Sequence, residues 1–311
     1  MKIVHSIQDF KTSKPTVVTI GTYDGVHLGH QKIIQQITHC AENLQAESLV
    51  LTFFPHPRTI LQEGTVMKQL NTIEEKIELL AQQGIDHLVI HPFDKEFSRL
   101  TAEEFVKEIL VDTFHVKKII IGYDHRFGRN RTANIDDLIA FGNTYGFEVE
   151  QISVEEINEV SISSTKIRAA LEEGNIDLAN TFLGYPYSLT GTVQKGQQLG
   201  RTIGFPTANI EQIADYKLIP QNGVYVAQSI INNQTVYGMM NIGNRPTVEG
   251  TRQTIEIHFF SFNQDLYGQT ITVSLVHRLR DEHKFDGIEA LKNQLHADQA
   301  AALAYIAQQG S

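Results

Sequence analysis

The chain is 311 residues long, 41% hydrophobic and 20% charged, which suits a globular protein and allows two domains with cores of their own. A formal charge of −10 speaks against broad binding of nucleic acid or of an anionic membrane surface, so any phosphate site has to be local. The single cysteine, Cys40, can form no intrachain disulfide, MKIVHSIQDF holds no signal-like apolar core, and no apolar run approaches the roughly 18 residues of a membrane span; a cytoplasmic location is expected.

The first clear strand is PTVVTI, residues 15–20, short and β-branched. It leads into GTYDGVHLGH, residues 21–30, after which Ile33, Ile34, Ile37, Cys40, Ala41 and Leu44 recur at helical spacing. The junction reads as strand, loop, helix, with Gly21, Asp24 and Gly29 in the turn. His27 and His30 stand three apart, so one face of the first helical turn carries both. Gly29 leaves backbone room for a ligand, and unpaired N–H groups at a helix start attract anions. Two imidazoles there suit the phosphates of a nucleotide and the charge that builds as pyrophosphate leaves. H-x-G-H is also compatible with a plain helix cap or with a zinc site. Position favours phosphate, because open parallel sheets bind ligands at the carboxyl ends of their strands, and no cysteine or carboxylate stands nearby at zinc-ligand spacing.

The next strand, ESLVLTFF, stops at Pro55, His56 and Pro57, since neither proline can donate to a ladder. A capped helix IEEKIELLAQQ, a strand DHLVIHPF, a helix over residues 101–114 and a strand VKKIIIG follow. The loop GYDHRFGRNRTAN (residues 122–134) gathers Asp124, Arg126, Arg129 and Arg131 at a strand's C-terminal end, where it could face phosphates or simply be solvated. A helix to about Tyr145 and the strand FEVEQISV complete a Rossmann-like α/β domain with a parallel sheet. SISSTKIRAALEEGN (residues 161–175) then combines capping serines with Lys166 and Arg168 in one helical turn, a convergence of hydroxyls, N–H groups and cations that favours phosphate.

From Tyr185 the texture changes to short alternating runs separated by Gly, Asn, Asp and Pro turns, two of them flanking INNQ as a hairpin. At least five such runs and a helix from Gly287 to about Gln308 predict a small closed antiparallel β-barrel covered by a terminal helix. The expected domains are residues 1–184 and 185–311. In the barrel, GQQLGRTIGFPTAN brings Gly196, Gly200 and Gly204 together ahead of Thr207 and Asn209. Such backbone either wraps a polyphosphate or merely turns a corner; Thr207 and Asn209, two apart in extended chain, offer hard oxygens to one side. Glu256 shares a face with Thr254, His258 and Phe260. It is a general-base candidate if that face lines a site and an ordinary carboxylate if it meets water.

The ordered set GTYDGVHLGH, FFPHP, GYDHRFGRNR, ISSTKIR, GRTIGFPTAN, NIGNRPT, IEIHFF and LRDEHKF resembles the bifunctional prokaryotic riboflavin kinases and FMN adenylyltransferases, the FAD synthetases, over nearly the whole chain. His125 and Ala133 depart from that pattern, at places where an aromatic and a glycine are usual. The resemblance implies ATP, riboflavin and FMN as substrates and Mg2+ as cofactor, with no nucleic-acid or membrane partner. It places His27, His30, Gly21, Asp24, Gly29, Asp124, Ser164, Thr165 and Arg168 around ATP in adenylyl transfer, with Pro55, His56 and Pro57 bordering the flavin. In the kinase half it implies a phosphate loop at Gly196, Gly200 and Gly204, magnesium on Thr207 and Asn209, and Glu256 as the base for the terminal ribityl hydroxyl. A nucleotidyltransferase with an RNA-binding barrel and a non-catalytic flavin-binding regulator are the rivals; conversion of riboflavin with ATP separates both from the synthetase.

Overall fold

A computed structural model describes residues 1–62, 67–122, 126–129, 132–152, 162–195, 199–247 and 250–309. Contacts divide the chain into two compact units, Met1–Ser164 and Thr165–Ser311.

The first unit is built on a parallel sheet of β1 (Lys2–Val4), β2 (Thr16–Ile20), β3 (Glu47–Phe53), β4 (His87–His91), β5 (Val116–Gly122) and β6 (Glu148–Ile152), in the order β1-β4-β3-β2-β5-β6. All five residues of β2 are buried, as expected of a central parallel strand covered on both faces. Successive residues feed two separate cores. Val17, Val50, Leu88 and Ile120 pack with the apolar face of α1 (Leu28–Asn43), and Val18, Leu49, Val89 and Ile119 pack in a second core with Phe105, Leu110 and Leu138. Between the strands run α2 (Pro57–Leu61), α3 (Ile73–Ala81) and α4 (Ala102–Glu104), which continues as a π-helix over Phe105–Val111, and α5 (Ile135–Tyr145). The regular helix expected over residues 101–114 therefore starts as one, with a capping box of Thr101 and Glu104, then widens. The i→i+5 turn keeps Phe105, Val106, Ile109 and Leu110 buried together. The three-residue edge strand β1 has too little pattern to be read from sequence and exists through its pairing with β4.

Two helices lead into the second unit, α6 (Ser164–Glu172), whose first residue closes the first unit, and α7 (Ile176–Leu183). Sequence texture puts the domain division at residues 184–186, about twenty residues later than the division by contacts, because the texture registers where strands begin and not where helices pack. Asn180 joins α7 to the barrel twice, donating to the Leu275 carbonyl at 2.9 Å and accepting from the Tyr187 N–H at 2.7 Å, and Gln221 N–H donates to Leu171 O at 2.9 Å.

The barrel is closed, in the order β10-β11-β8-β7-β12-β9, from β7 (Ser188–Gln194), β8 (Ala208–Glu211), β9 (Gly223–Ile231), β10 (Gln234–Thr247), β11 (Gly250–Phe259) and β12 (Thr270–Arg280). A short helix α8 (Leu199–Thr202) and the terminal α9 (Ile288–Gln309) complete it. The hairpin at INNQ is a two-residue turn with Asn232 and Asn233 at φ 52° and 60°, the pair of left-handed residues that a type I′ turn requires. Leu189, Val193, Met240, Ile257, Val273 and Leu275 fill the interior by alternation. The alternate positions of β8, β10 and β11, Asn209, Asn241 and Glu256 among them, lie on the opposite face, and α9 packs against β9, β10 and β12.

Candidate active sites

In the first unit β2 ends where the strand order reverses, with β3 and β4 on one side and β5 and β6 on the other. Such a switch point leaves a crevice at the strands' carboxyl ends, and the H-x-G-H turn sits there. His27 is the N-cap of α1, and its Nδ1 accepts the backbone N–H of His30 at 3.4 Å. An accepting Nδ1 leaves the ring proton on Nε2, so a neutral His27 is a donor through that atom. The two imidazoles stack, with centroids 3.6 Å apart and planes inclined by 18°. Burial pushes the His27 pKa down to about 4 against the pull of Asp24. Burial, then the nearby His27 and Lys76, hold His30 well below the ordinary histidine range. Both rings are therefore neutral donors at pH 7. The buried Nδ1 of His30 has no partner among the described residues, the condition a bound ligand relieves.

The turn ahead of the histidines is strained. Tyr23, Gly25 and Val26 all have positive φ, 47°, 90° and 35°, and a β-branched residue there is costly. Surrounding groups fix it: Asp24 Oδ1 accepts from Leu70 N–H at 2.8 Å, Ser164 Oγ donates to Asp24 O at 2.8 Å, and Gln31 Nε2 donates to Val26 O at 2.8 Å. Asp24 and Ser164, both anticipated beside ATP, thus also hold the loop itself. Gly29 is buried in the first turn of α1, and Gly21 bonds through its N–H to Leu51 O at 3.1 Å. At the end of β3, His56 caps α2 by accepting from Arg58 N–H at 3.1 Å, Pro57 occupies the first helical position, and the Phe54–Pro55 peptide is cis. Arg129 Nε donates to Arg99 O at 2.9 Å. Thr165 is exposed and Arg168 partly buried, one turn beyond Ser164 on α6. Asp124, Arg131 and Gly196 lie outside the described residues.

In the second unit a cavity of about 270 Å3 lies between the outer wall of the barrel and α9. Gly200, Thr207, Asn209 and Glu256 all line it. Register explains the convergence: Asn209 on β8 pairs with Glu256 on β11, and Glu256 pairs with Asn241 on β10, so three outward polar side chains form one row. Thr207 Oγ1 donates to Glu256 Oε2 at 3.2 Å. The face that Glu256 shares with His258 is thus the one that lines a site. His258 Nδ1 donates to the Pro206 carbonyl at 2.8 Å and so holds the segment before Thr207 against β11. Gly200 is required by close approach, since a Cβ there would stand 2.1 Å from Phe205 O; Gly204, at φ 89°, occupies the left-handed region. Two hard oxygens on one side of β8, with a carboxylate beside them, fit Mg2+, which takes few protein ligands and keeps its remaining positions for water and phosphate.

The FAD synthetase family model matches residues 9–166 and the riboflavin kinase model residues 183–306. The bifunctional riboflavin kinase/FMN adenylyltransferase of Escherichia coli K12 is 35% identical over 305 residues, 97% of each chain. That of Listeria monocytogenes is 38% identical over 293 residues, 94% of this chain and 92% of its own. The chain belongs to this bifunctional family. A crystal structure described as a macrolide-efflux protein from Streptococcus pneumoniae shares the fold, with a TM-score of 0.88 and 32% identity over 97% of this chain and 98% of that one. Among the described residues no helix is long and apolar enough to cross a membrane.

Several residues that shape the two sites of this family member escape sequence reasoning. Asn241 enters the pocket of the second unit only through strand pairing. Arg280 grips Asp298 of α9 with two bonds of 2.8 and 2.7 Å, closing the pocket's helical side; a lone Arg and a lone Asp 18 residues apart give no signal. Lys76 reads as one polar residue in an amphipathic helix, yet it is buried with its Nζ 2.8 Å from Thr22 O.

Proposed function

We infer that this chain makes FAD from riboflavin in two ATP-consuming steps, phosphorylation in the barrel unit and adenylyl transfer at the H-x-G-H turn. The observation that carries the first step is the row of Thr207, Asn209 and Glu256 in one cavity. Glu256 takes the proton of the terminal ribityl hydroxyl as its oxygen attacks the γ-phosphorus of ATP, and ADP leaves. Thr207 and Asn209 would hold Mg2+, which when bound neutralises phosphate charge. Gly200 and Gly204 let the backbone approach the phosphates, with Gly196 in the same loop.

In the second step a phosphate oxygen of FMN attacks the α-phosphorus of ATP and pyrophosphate leaves. His27, through Nε2–H, and His30 donate to the phosphates at the start of α1, where the unpaired helix N–H groups add to them. Arg168 and Asp124 serve the same nucleotide, Ser164 and Thr165 stand by it, and Gly21, Asp24 and Gly29 shape the turn. Pro55, His56 and Pro57 border the flavin. The partners are small molecules, and the cytoplasm, where these nucleotides and a reducing environment for Cys40 coincide, is the location.

The deciding assay incubates the protein with riboflavin, ATP and magnesium and separates the flavins over time. FMN followed by FAD is expected. Riboflavin left unchanged by folded protein, in either flavin redox state, overturns the reading.

A further inference from the structure

The strained turn that carries the two histidines is held from below by a charge that lies outside every motif segment. Lys76, on the first turn of α3, is 1% exposed. Its Nζ donates to Thr22 O at 2.8 Å, and Thr52 Oγ1 donates to the same carbonyl at 3.2 Å. A buried ammonium group is expensive to desolvate, and a neutral residue of similar length would fill the same space without that cost. Capping explains the rest of the helix start: Thr72 and Glu75 bond each other's backbone N–H groups, and Glu74 and Glu75 are the carboxylates on Lys76's own turn. The charged group that acts on the Lys76 ammonium comes from the turn that carries the histidines. Asp24, itself 1% exposed, favours the ammonium form, and the cation adds to burial and His27 in holding His30 neutral.

We propose that Lys76 is a positioning residue for adenylyl transfer: it pins the Thr22 carbonyl and, opposite Asp24, places one buried positive charge behind His30. Without it the turn at Tyr23, Gly25 and Val26 loses its tie to α3, and the histidine donors lose their register with the phosphates. The charge has a second consequence. It favours neutral His30 over imidazolium, so that the ring acts as a donor that does not trap the departing pyrophosphate as an ion pair. Burial lowers the Lys76 pKa to about 8, with Asp24 opposing, so the cation is present at pH 7 and is lost above pH 8.

The proposal rests on adenylyl transfer residing at the H-x-G-H turn, and the test separates the two. Lys76→Met, Lys76→Arg and His27→Ala are made in the full-length chain, and each is assayed for FMN adenylylation and, separately, for riboflavin phosphorylation. In Lys76→Met, kcat/KM for ATP in adenylylation falls at least about tenfold while phosphorylation stays within about twofold. The unaltered enzyme loses adenylylation above about pH 8, and Lys76→Arg, which keeps the charge, recovers activity and moves that alkaline limb upward. Equal loss of both reactions in folded Lys76→Met, or an alkaline limb that is the same in the unaltered enzyme and in Lys76→Arg, overturns the role. Should Lys76→Met fail to fold, the comparison of alkaline limbs still decides. If His27→Ala keeps full adenylylation, the site assignment itself has failed instead.

Discussion

At the scale of single residues, the two chemistries should separate cleanly. Removing one well-placed transition-state donor typically costs about a hundredfold or more, so alanine at His27 and His30 should abolish FAD formation from FMN and leave FMN formation intact. Glu256→Gln keeps the size and removes the basicity, worth roughly 10²–10⁴-fold, so riboflavin phosphorylation should fail while supplied FMN is still adenylylated. Assaying each variant on riboflavin and on FMN checks both; loss of both activities in a folded variant refutes the division. The buried histidine also predicts a pH dependence of stability. His27 titrates at about 4 in the folded chain and near 6.5 when unfolded. Between those values the unfolded chain binds more protons, so stability is full above pH 6.5 and falls as pH drops toward 4, by up to roughly 3 kcal/mol from this group. Burial lowers His30 and His91 in the same direction. Protection of the α1 amides, taken relative to the intrinsic exchange rate at each pH, should fall from about pH 7 to about pH 5, and His27→Gln should flatten that trend; a trend unchanged by the substitution refutes it.

At the scale of elements, the pocket proposed for phosphorylation depends on two pieces that are not barrel strands. The turn after α8 brings Gly200 against the Phe205 carbonyl, 2.1 Å from where a Cβ would stand, and that turn delivers Thr207 to Glu256. Gly200→Ala must displace the turn, so phosphorylation should drop at least about tenfold with adenylylation unchanged, and a kinase of normal rate would show that the turn tolerates displacement. The other piece is α9, which packs through Leu291, Leu295 and Ala302 and stacks Tyr305 on His277. Its buried polar tie is Asp298, 3% exposed, gripped by Arg280 and bonded by Gln294 Nε2 at 2.8 Å. Asp298→Ala strands a guanidinium at the pocket wall, a loss on the order of 3 kcal/mol, and should lower the melting temperature of the barrel unit and raise KM for riboflavin. Unaltered melting would mean that α9 is held by other contacts.

At the scale of the whole molecule, the placing of the division matters for any dissection. A fragment that starts at residue 185 leaves Leu275 O, Tyr187 N–H and Gln221 N–H without the partners that Asn180 and Leu171 supply. It also loses Asp177, 3.0 Å from His277 on β12. A fragment that starts at residue 165 keeps all of them. We expect both to close the barrel, the longer one melting several degrees higher and phosphorylating riboflavin with the rate of the full chain. Equal melting temperatures would mean that these bonds contribute nothing net.

Local pattern was enough for the alternation of strand and helix, the change to a barrel, the INNQ hairpin and the identity of the motif residues, because periodicity, turn residues and short motifs are properties of neighbouring positions in a chain. It was also enough to put His27 and His30 on one helical turn, since a spacing of three does that in any α-helix. It left open whether Glu256 faced a site or water, and whether the segment from Gly200 to Asn209 wrapped anything at all. What brings these residues to one cavity is β8, a strand of four residues with too little pattern to register, whose pairing with β11 sets Asn209 beside Glu256. The burial of Lys76 beneath Thr22, the Arg280 grip on Asp298 and the attachment of α6 and α7 to the barrel likewise join residues 18 to 100 positions apart. Such contacts come from the register of strands and the docking of helices, which depend on the whole chain closing on itself and leave no periodic trace in it.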